Sequence, residues 1–309
     1  MMQFELQFIW RKIMIKQVKK LIIPAAGWGT RFLPMTKIVH KELVPILNRP
    51  SLDLLVDEAL DSGINEIILI ISERKKDIIK LFEVNDALEN ELKSKNKIKL
   101  LEKVQKTNRI ANIKFIYQKE QNGLGHALAQ AKDIIGDEPF AIILGDDLIK
   151  SKIPATKQLI DFYNKTGQNI LGVQSVSDEN VHKYGIVNPK NTDEKNNKEF
   201  EIIGAVEKPE LKDAPSKKAI LGRYVFNPEI LQILSKIEYD GKNEIQVVDA
   251  FDKLMNEYQQ KIYAVEFEGK RYDLGSIEGF VEATIDYALD NDEIGNKTLN
   301  YIKNINKER

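Results

Sequence analysis

Short apolar runs alternate along the chain with longer stretches whose apolar residues recur at helical spacing. Lys20–Ala25, Glu66–Ser72, Ile113–Gln118 and Phe140–Leu144 are rich in Ile, Leu or Phe and bounded by turn residues, which predicts strands. Ser51–Asp61 places Leu52, Leu55, Val56, Ala59 and Leu60 on one face, the pattern of an amphipathic helix. Ser51 suits its N-cap and Gly63 its C-terminal stop. Leu124–Ile135 predicts another helix, entered through Gly123 and Gly125. Strands alternating with helices imply right-handed crossovers, so the expected class is α/β, a mainly parallel mixed sheet with flanking helices.

That rhythm breaks at Leu81–Asn112, a long charged stretch with Leu88, Leu92, Leu100, Leu101 and Val104 as sparse apolar positions. It predicts a helical insertion, and its interspersed Lys and Glu describe a solvated face rather than a nucleic-acid patch. Further on, Asn169–Val176, Tyr184–Asn188, Phe200–Glu207 and Ala219–Phe226 predict strands, and Glu244–Tyr258 and Ser276–Asp290 predict helices. No long linker interrupts residues 16–290, which are expected to form one domain, and the polar tail Asn291–Arg309 is expected to be mobile. The extension Met1–Ile15 is expected to be weakly ordered or peripheral. It is apolar but broken by Glu5, Arg11 and Lys12 and lacks a small-residue cleavage site, so it is a poor signal peptide, and Met14 reads as a start.

With 46 basic and 47 acidic residues in 309, the net charge of −1 exerts no global pull on nucleic acid or anionic membrane. Any phosphate ligand must therefore be held by a local cluster. The absence of cysteine excludes disulfides, thiol catalysis and cysteine zinc sites, and suits a cytoplasmic setting. No apolar run is long enough to span a bilayer.

A local cluster is present. The run Leu21-Ile22-Ile23-Pro24 leads into Ala25-Ala26-Gly27-Trp28-Gly29-Thr30-Arg31, followed by Lys37 and Lys41. Glycines let backbone amides approach phosphate, and the fixed cations supply the charge that amides cannot. Phe32 stands where a dinucleotide fingerprint needs its third glycine, and no Gly-Lys-Ser/Thr follows as a P-loop requires. The stretch reads as a nucleoside triphosphate site of another kind.

Ile142-Ile143-Leu144-Gly145-Asp146-Asp147 ends a buried-type strand in two carboxylates. Mg²⁺ takes hard oxygen ligands and usually only one or two protein carboxylates, although Gly-Asp is also a common turn. Asp273 precedes the helix at Ser276 and could cap that helix or complete a metal site. Val206-Glu207-Lys208-Pro209 closes another strand, where Glu207 could accept hydrogen bonds from sugar hydroxyls and Lys208 could neutralise a second phosphate. His40, His126 and His182 are scattered and form no nucleophile–base pair.

Pro24–Pro34, Lys41–Pro45, Gly123–Ala127, Val206–Pro209, Gly222-Arg223-Tyr224 and Asn243–Gln246 stand in an order that resembles the sugar-nucleotide pyrophosphorylases, and most of all the uridylyltransferases among them. The resemblance runs from about Lys16 to Asp290 and includes the insertion after Leu81. It implies a Rossmann-like nucleotidyltransferase fold, Mg²⁺ as cofactor, UTP and glucose 1-phosphate as substrates, and a homodimer or homotetramer. By resemblance, Gly27, Gly29 and Thr30 belong to the phosphate turn, Arg31 holds the departing pyrophosphate and Lys41 stabilises the reacting phosphate. Ala25, Ala26, Gln118 and Gly123 surround the base, Asp146 and Asp273 hold the metal, Gly185 and Glu207 contact the sugar, and Lys208 its phosphate. Three residues depart from the usual pattern: Trp28 is bulkier, His40 replaces a common proline, and Asp147 stands where an apolar residue is frequent.

Overall fold

The computed structural model describes residues 15–191 and 197–308, so all of the N-terminal extension except Ile15 lies outside the described residues. The strands are β1 (Lys20–Pro24), β2 (Pro45–Ile46), β3 (Arg49–Pro50), β4 (Glu66–Ile71), β5 (Ile113–Tyr117), β6 (Phe140–Ile143) and β7 (Asp147–Lys150). They continue with β8 (Asn169–Ser175), β9 (Gly185–Pro189), β10 (Glu199–Glu207), β11 (Lys218–Phe226), β12 (Ile262–Glu266) and β13 (Lys270–Asp273). Nine of them form one sheet in the order β5-β4-β1-β6-β11-β8-β12-β10-β9, and β7–β13 and β2–β3 form separate two-stranded pairs.

Strand β1 shows why these segments are continuously apolar. Leu21 and Ile23 face Leu52, Leu55 and Val56 of the helix Ser51–Asp61, whereas Ile22 faces Ala127, Leu128 and Ile135 across the sheet. A strand covered on both faces has no polar side to alternate with. Strands β5, β4, β1 and β6 run parallel, as expected. Beyond β6 the sheet turns antiparallel through β11, and only β8 and β12 pair in parallel there. The antiparallel share therefore exceeds that of the expected mainly parallel sheet.

Several boundaries differ for identifiable reasons. Pro50, not Ser51, precedes the first helix, and the Ser51 hydroxyl donates to the Glu42 carbonyl instead of capping. The stretch expected as one helix at Leu124–Ile135 divides into Leu124–Ala129 and Lys132–Ile135. Helix does not begin at Glu244, because Ile245 is drawn into a backbone pairing: its N–H donates to Asn122 and its carbonyl accepts from Gly125. A 3-10 turn then leads into the helix Phe251–Asn256. The insertion forms the helices Asp86–Ser94 and Ile98–Gln105. Asp57 of the first helix accepts from Arg109 and Lys106 there, which anchors the insertion to the core. The tail expected to be mobile carries the helix Gly295–Glu308, which packs on the helix Ile277–Leu289.

Candidate active site

The carboxyl ends of β1, β4 and β5 form one rim. After Pro24 the backbone turns through Gly29 at φ 68, where a Cβ would lie 3.2 Å from both Lys41 Cβ and Thr36 Cγ2. Only glycine combines that φ with so close an approach at low cost. Thr36 Oγ1 donates to the Gly29 carbonyl at 2.8 Å, and Thr30–Phe32 follows as a single 3-10 turn. Gly27, Thr30 and Arg31 are exposed, whereas Ala25 and Ala26 are buried.

Lys41 is placed by its neighbour. Glu42 is buried and accepts from Lys75 Nζ at 2.8 Å on both oxygens, and Lys75 also donates to the Ala25 carbonyl at 2.6 Å. This pair ties the Lys41-Glu42-Leu43 turn to the end of β1. The Ala26 carbonyl accepts from Gln121 Nε2 at 2.9 Å and Arg74 Nη2 at 3.2 Å. Gln118 is buried beside His126 Nδ1 at 3.1 Å. At Gly123, φ is 105 and a Cβ would lie 2.5 Å from the Ile245 carbonyl oxygen, so no side chain fits.

Facing this rim is an acidic wall. Leu274 N–H donates to the Asp146 carbonyl at 2.7 Å, and the β7–β13 register sets Asp273 opposite Asp147. A Cβ on Gly275 would lie 2.8 Å from Arg31 Nη1, 2.9 Å from Asp273 Oδ1 and 3.3 Å from Asp146 Oδ2. Three residues far apart in sequence thus surround one point. Lys41 Nζ reaches the same Asp146 oxygen at 3.1 Å. Burial pulls the Lys41 pKa down, but the Asp146 and Glu42 carboxylates outweigh it and hold it above the usual lysine value. Burial pushes Asp146 up, and the Lys41 ammonium outweighs that and holds it below the usual carboxylate range. Both groups are therefore charged at neutral pH.

Asp147 has a different task. It is buried and paired with Arg271, and a Cβ on Gly222, whose φ is 65, would clash with its Oδ2. Burial and the Asp146 and Asp273 charges raise its carboxyl to about 6 against the pull of Arg271 and Arg223. Arg223 has no exposed surface and donates to Glu58 at 2.8 and 2.6 Å and to the Asp147 carbonyl at 2.8 Å. Of the two adjacent aspartates, Asp146 is the one beside Lys41, Arg31 and Asp273. Asp273 is not the helix cap either: Ser276 Oγ accepts from Gly279 N–H at 3.0 Å, and Asp273 Oδ1 accepts from Gly275 N–H at 2.8 Å.

On the far side, the β9–β10 register sets Gly185 opposite Glu207, and a Cβ there would lie 3.0 Å from Glu207 Oε2. Lys208 adopts φ 47, its N–H donates to the Tyr184 carbonyl at 3.1 Å, and its ammonium lies 3.4 Å from Glu207 Oε1. A cavity of about 530 Å³ is lined by Arg31, Asp146, Asp273, Gly185, Glu207 and Lys208, together with Tyr184, Tyr224, Gln246 and Arg271. Lys41 meets it through Asp146. Ala25, Ala26, Gly27, Gly29, Thr30, Gln118 and Gly123 do not line this cavity and belong to the rim and its flanks.

The Arg271–Asp147 and Arg223–Glu58 pairs, Tyr184 and Gln246 received no role from the sequence. A signal for one existed: Arg223 is the single charged residue inside the apolar run Ala219–Phe226, and a lone arginine there demands a buried partner. Among the described residues, no group of three or more His, Cys, Asp or Glu could hold a metal ion.

Residues 20–289 match the model of the family described as nucleotidyl transferase. The chain is 46% identical over 291 residues to a UTP–glucose-1-phosphate uridylyltransferase of Staphylococcus epidermidis, covering 94% of this chain and 99% of that one. A UTP-bound UGPase from Acinetobacter baumannii superposes with a TM-score of 0.84 at 32% identity, covering 93% and 99% of the two chains. A UDP-glucose pyrophosphorylase complexed with UDP-glucose gives 0.77 at 36% identity, covering 88% and 98%.

Proposed function

This chain belongs to the nucleotidyl transferase family, and from that premise we infer that it transfers a uridylyl group, converting UTP and glucose 1-phosphate into UDP-glucose and pyrophosphate. The carrying observation is the meeting of Lys41, Asp146, Asp273 and Arg31 on one side of a cavity whose other side presents Glu207 and Lys208. An oxygen of the sugar phosphate forms a bond to the α-phosphorus. The bond from that phosphorus to the α,β-bridging oxygen breaks, and pyrophosphate leaves with the electron pair.

No residue needs to act as a covalent nucleophile; the protein aligns two anions and offsets their repulsion. The turn at Gly27–Thr30 offers amides to the triphosphate, Arg31 offers a planar fork to the departing pyrophosphate, and Lys41 meets charge at the reacting phosphate. Ala25, Ala26, Gln118 and Gly123 form the base side. Glu207 and Gly185 take the sugar, and Lys208 its phosphate. Asp146 and Asp273 offer the hard oxygens and the small number of carboxylates that Mg²⁺ accepts, so the donor set fits that ion. When bound there, Mg²⁺ would offset negative charge on phosphate oxygens.

The same reading includes a homodimer or homotetramer and a cytoplasmic setting. No helix among the described residues is long and apolar enough to cross a membrane. The test is pyrophosphate release from purified protein with Mg²⁺ and glucose 1-phosphate across UTP, dTTP, ATP, CTP and GTP. UTP is expected to be preferred. Faster turnover with dTTP would reassign the base side to thymidylyl transfer, and silence with every pair would make the chain a binding or regulatory protein.

A further inference from the structure

Among the described residues, Arg74 on the nucleotide rim has no carboxylate within ion-pair distance. Lys41 is paired with Asp146, Lys75 with Glu42 and Arg271 with Asp147. The partners of Arg74 among the described residues are all neutral: the Ala26 carbonyl, the Ser72 hydroxyl and the face of Trp28, whose ring centroid lies 3.4 Å from the guanidinium carbon. Trp28 is 62% exposed, a large apolar surface left in solvent beside a polar rim. An indole face attracts a guanidinium and covers one side of it while leaving the edge of the fork open.

The location gives this stack a meaning. Arg74 sits on the carbonyl of Ala26, the residue immediately before Gly27, and Trp28 stands between the two turn glycines. Gly27 is open, with nothing within 4 Å of an added Cβ. Arg31 follows the turn on the other side and, among the described residues, has only a 3.5 Å contact with the Gly275 carbonyl. Two guanidiniums without a carboxylate partner therefore flank the turn whose amides are offered to phosphate. A protein gains little by holding an unanswered, partly buried cation against an exposed indole unless an anion arrives.

We propose that the Trp28–Arg74 stack is a further triphosphate-binding element of this chain, with Arg74 giving a second guanidinium to the nucleotide and Trp28 holding it in place until the nucleotide binds. This rests on the reading of the Gly27–Arg31 turn as a nucleoside triphosphate site. Arg74 shifts from the Ala26 carbonyl towards phosphate oxygens, its stack on Trp28 loosens, and the indole environment changes.

The experiment combines steady-state kinetics with Trp28 fluorescence in a Trp10→Phe background, which leaves Trp28 as the only tryptophan. Arg74→Ala is expected to raise the KM for UTP about tenfold, the loss of one charge-assisted contact, with the KM for glucose 1-phosphate within about twofold. Arg74→Lys should recover part of that loss, and Trp28→Leu should raise the KM for UTP about threefold. Lys80→Ala, an exposed change in the same segment, should leave both constants unchanged. UTP should shift Trp28 emission saturably, uridine should not, and Arg74→Ala should abolish the shift. A KM for UTP in Arg74→Ala within about twofold of the parent, or an equal emission response to uridine, would overturn the proposal. An Arg74→Ala protein that lost KM for both substrates together with melting temperature would also overturn it, by making the stack merely structural. If the parent released no pyrophosphate from UTP, the proposed reaction would fall, while the fluorescence titration would still decide the role of Arg74.

Discussion

The nucleotide rim and the acidic wall opposite it are built on different principles. The rim's glycine turn comes from one continuous stretch, Ala25–Arg31, and several of its members are exposed. The wall is assembled from Asp146, Asp147, Arg223, Arg271 and Asp273, and it is held by ion pairs that cross the core. Arg223 reaches Glu58, which also accepts from Thr156 N–H at 3.1 Å and Thr156 Oγ1 at 2.7 Å. The wall is preorganised, whereas the rim keeps its guanidiniums free of carboxylates. Carboxylates that face incoming phosphates must be braced before the ligand arrives, because nothing in the substrates attracts them. Guanidiniums facing the same phosphates, Arg31 and Arg74, need no carboxylate partner, since the ligand supplies their counter-charge, whereas Lys41 is held by Asp146.

If that contrast is right, damage to the brace should appear first as lost stability and damage to the rim as lost binding. The largest stability effect belongs to Arg223→Leu, which leaves Glu58 buried and unpaired and should cost about 3–5 kcal/mol in chemical denaturation. Equal stability of mutant and parent would show that the wall does not depend on this pair. Gly222→Ala comes next. The positive φ and the clash with Asp147 should cost about 1–3 kcal/mol and displace the Asp146–Asp147 turn, so stability and turnover should fall together. Turnover lost without stability would place the damage in the site alone.

Acid provides a reversible version of the first test. Burial pushes Glu58 up, but Arg223 outweighs it and lowers its pKa from 4.5. A depressed folded pKa gives stability that is complete above the unfolded value and is lost as pH falls through the folded one. Glu58→Gln should therefore be less stable than the parent at pH 7, with the difference shrinking as pH drops below 4.5. A difference that stayed constant into acid would refute the charge pairing. The smallest effect should come from Arg109→Ala, which loosens the insertion from Asp57 at about 1 kcal/mol, less at high salt. Activity should be retained, because the insertion takes no part in either side of the site.

Most of the parallel half of the sheet was legible because β1, β4, β5 and β6 are largely apolar runs between turn residues, and all but the edge strand β5 are covered on both faces. The β7–β13 pair was not: Asp147 read as the end of the preceding strand and Arg271 received no reading, and only the register brings the two segments together. Helix Ala155–Thr166 went unread although Leu159, Ile160, Phe162 and Tyr163 are buried along it. Leu299, Ile302 and Ile305 form a three-residue rhythm in the tail that was outweighed by its polarity. The cations and carboxylates of the site were visible as types at strand ends. Their pairing was not, because Lys41 and Asp146, or Arg223 and Glu58, meet only through the fold.

The meeting of Lys41 with Asp146 carries the whole account, and it is tested by turnover of Lys41→Ala and Asp146→Ala set beside their melting temperatures. Each variant should lose about 100–1,000-fold in pyrophosphate release from UTP, while melting within about 3 °C of the parent. A variant that kept most of its rate, or one whose rate and melting temperature collapsed together, would contradict a site in which these two side chains act on the nucleotide.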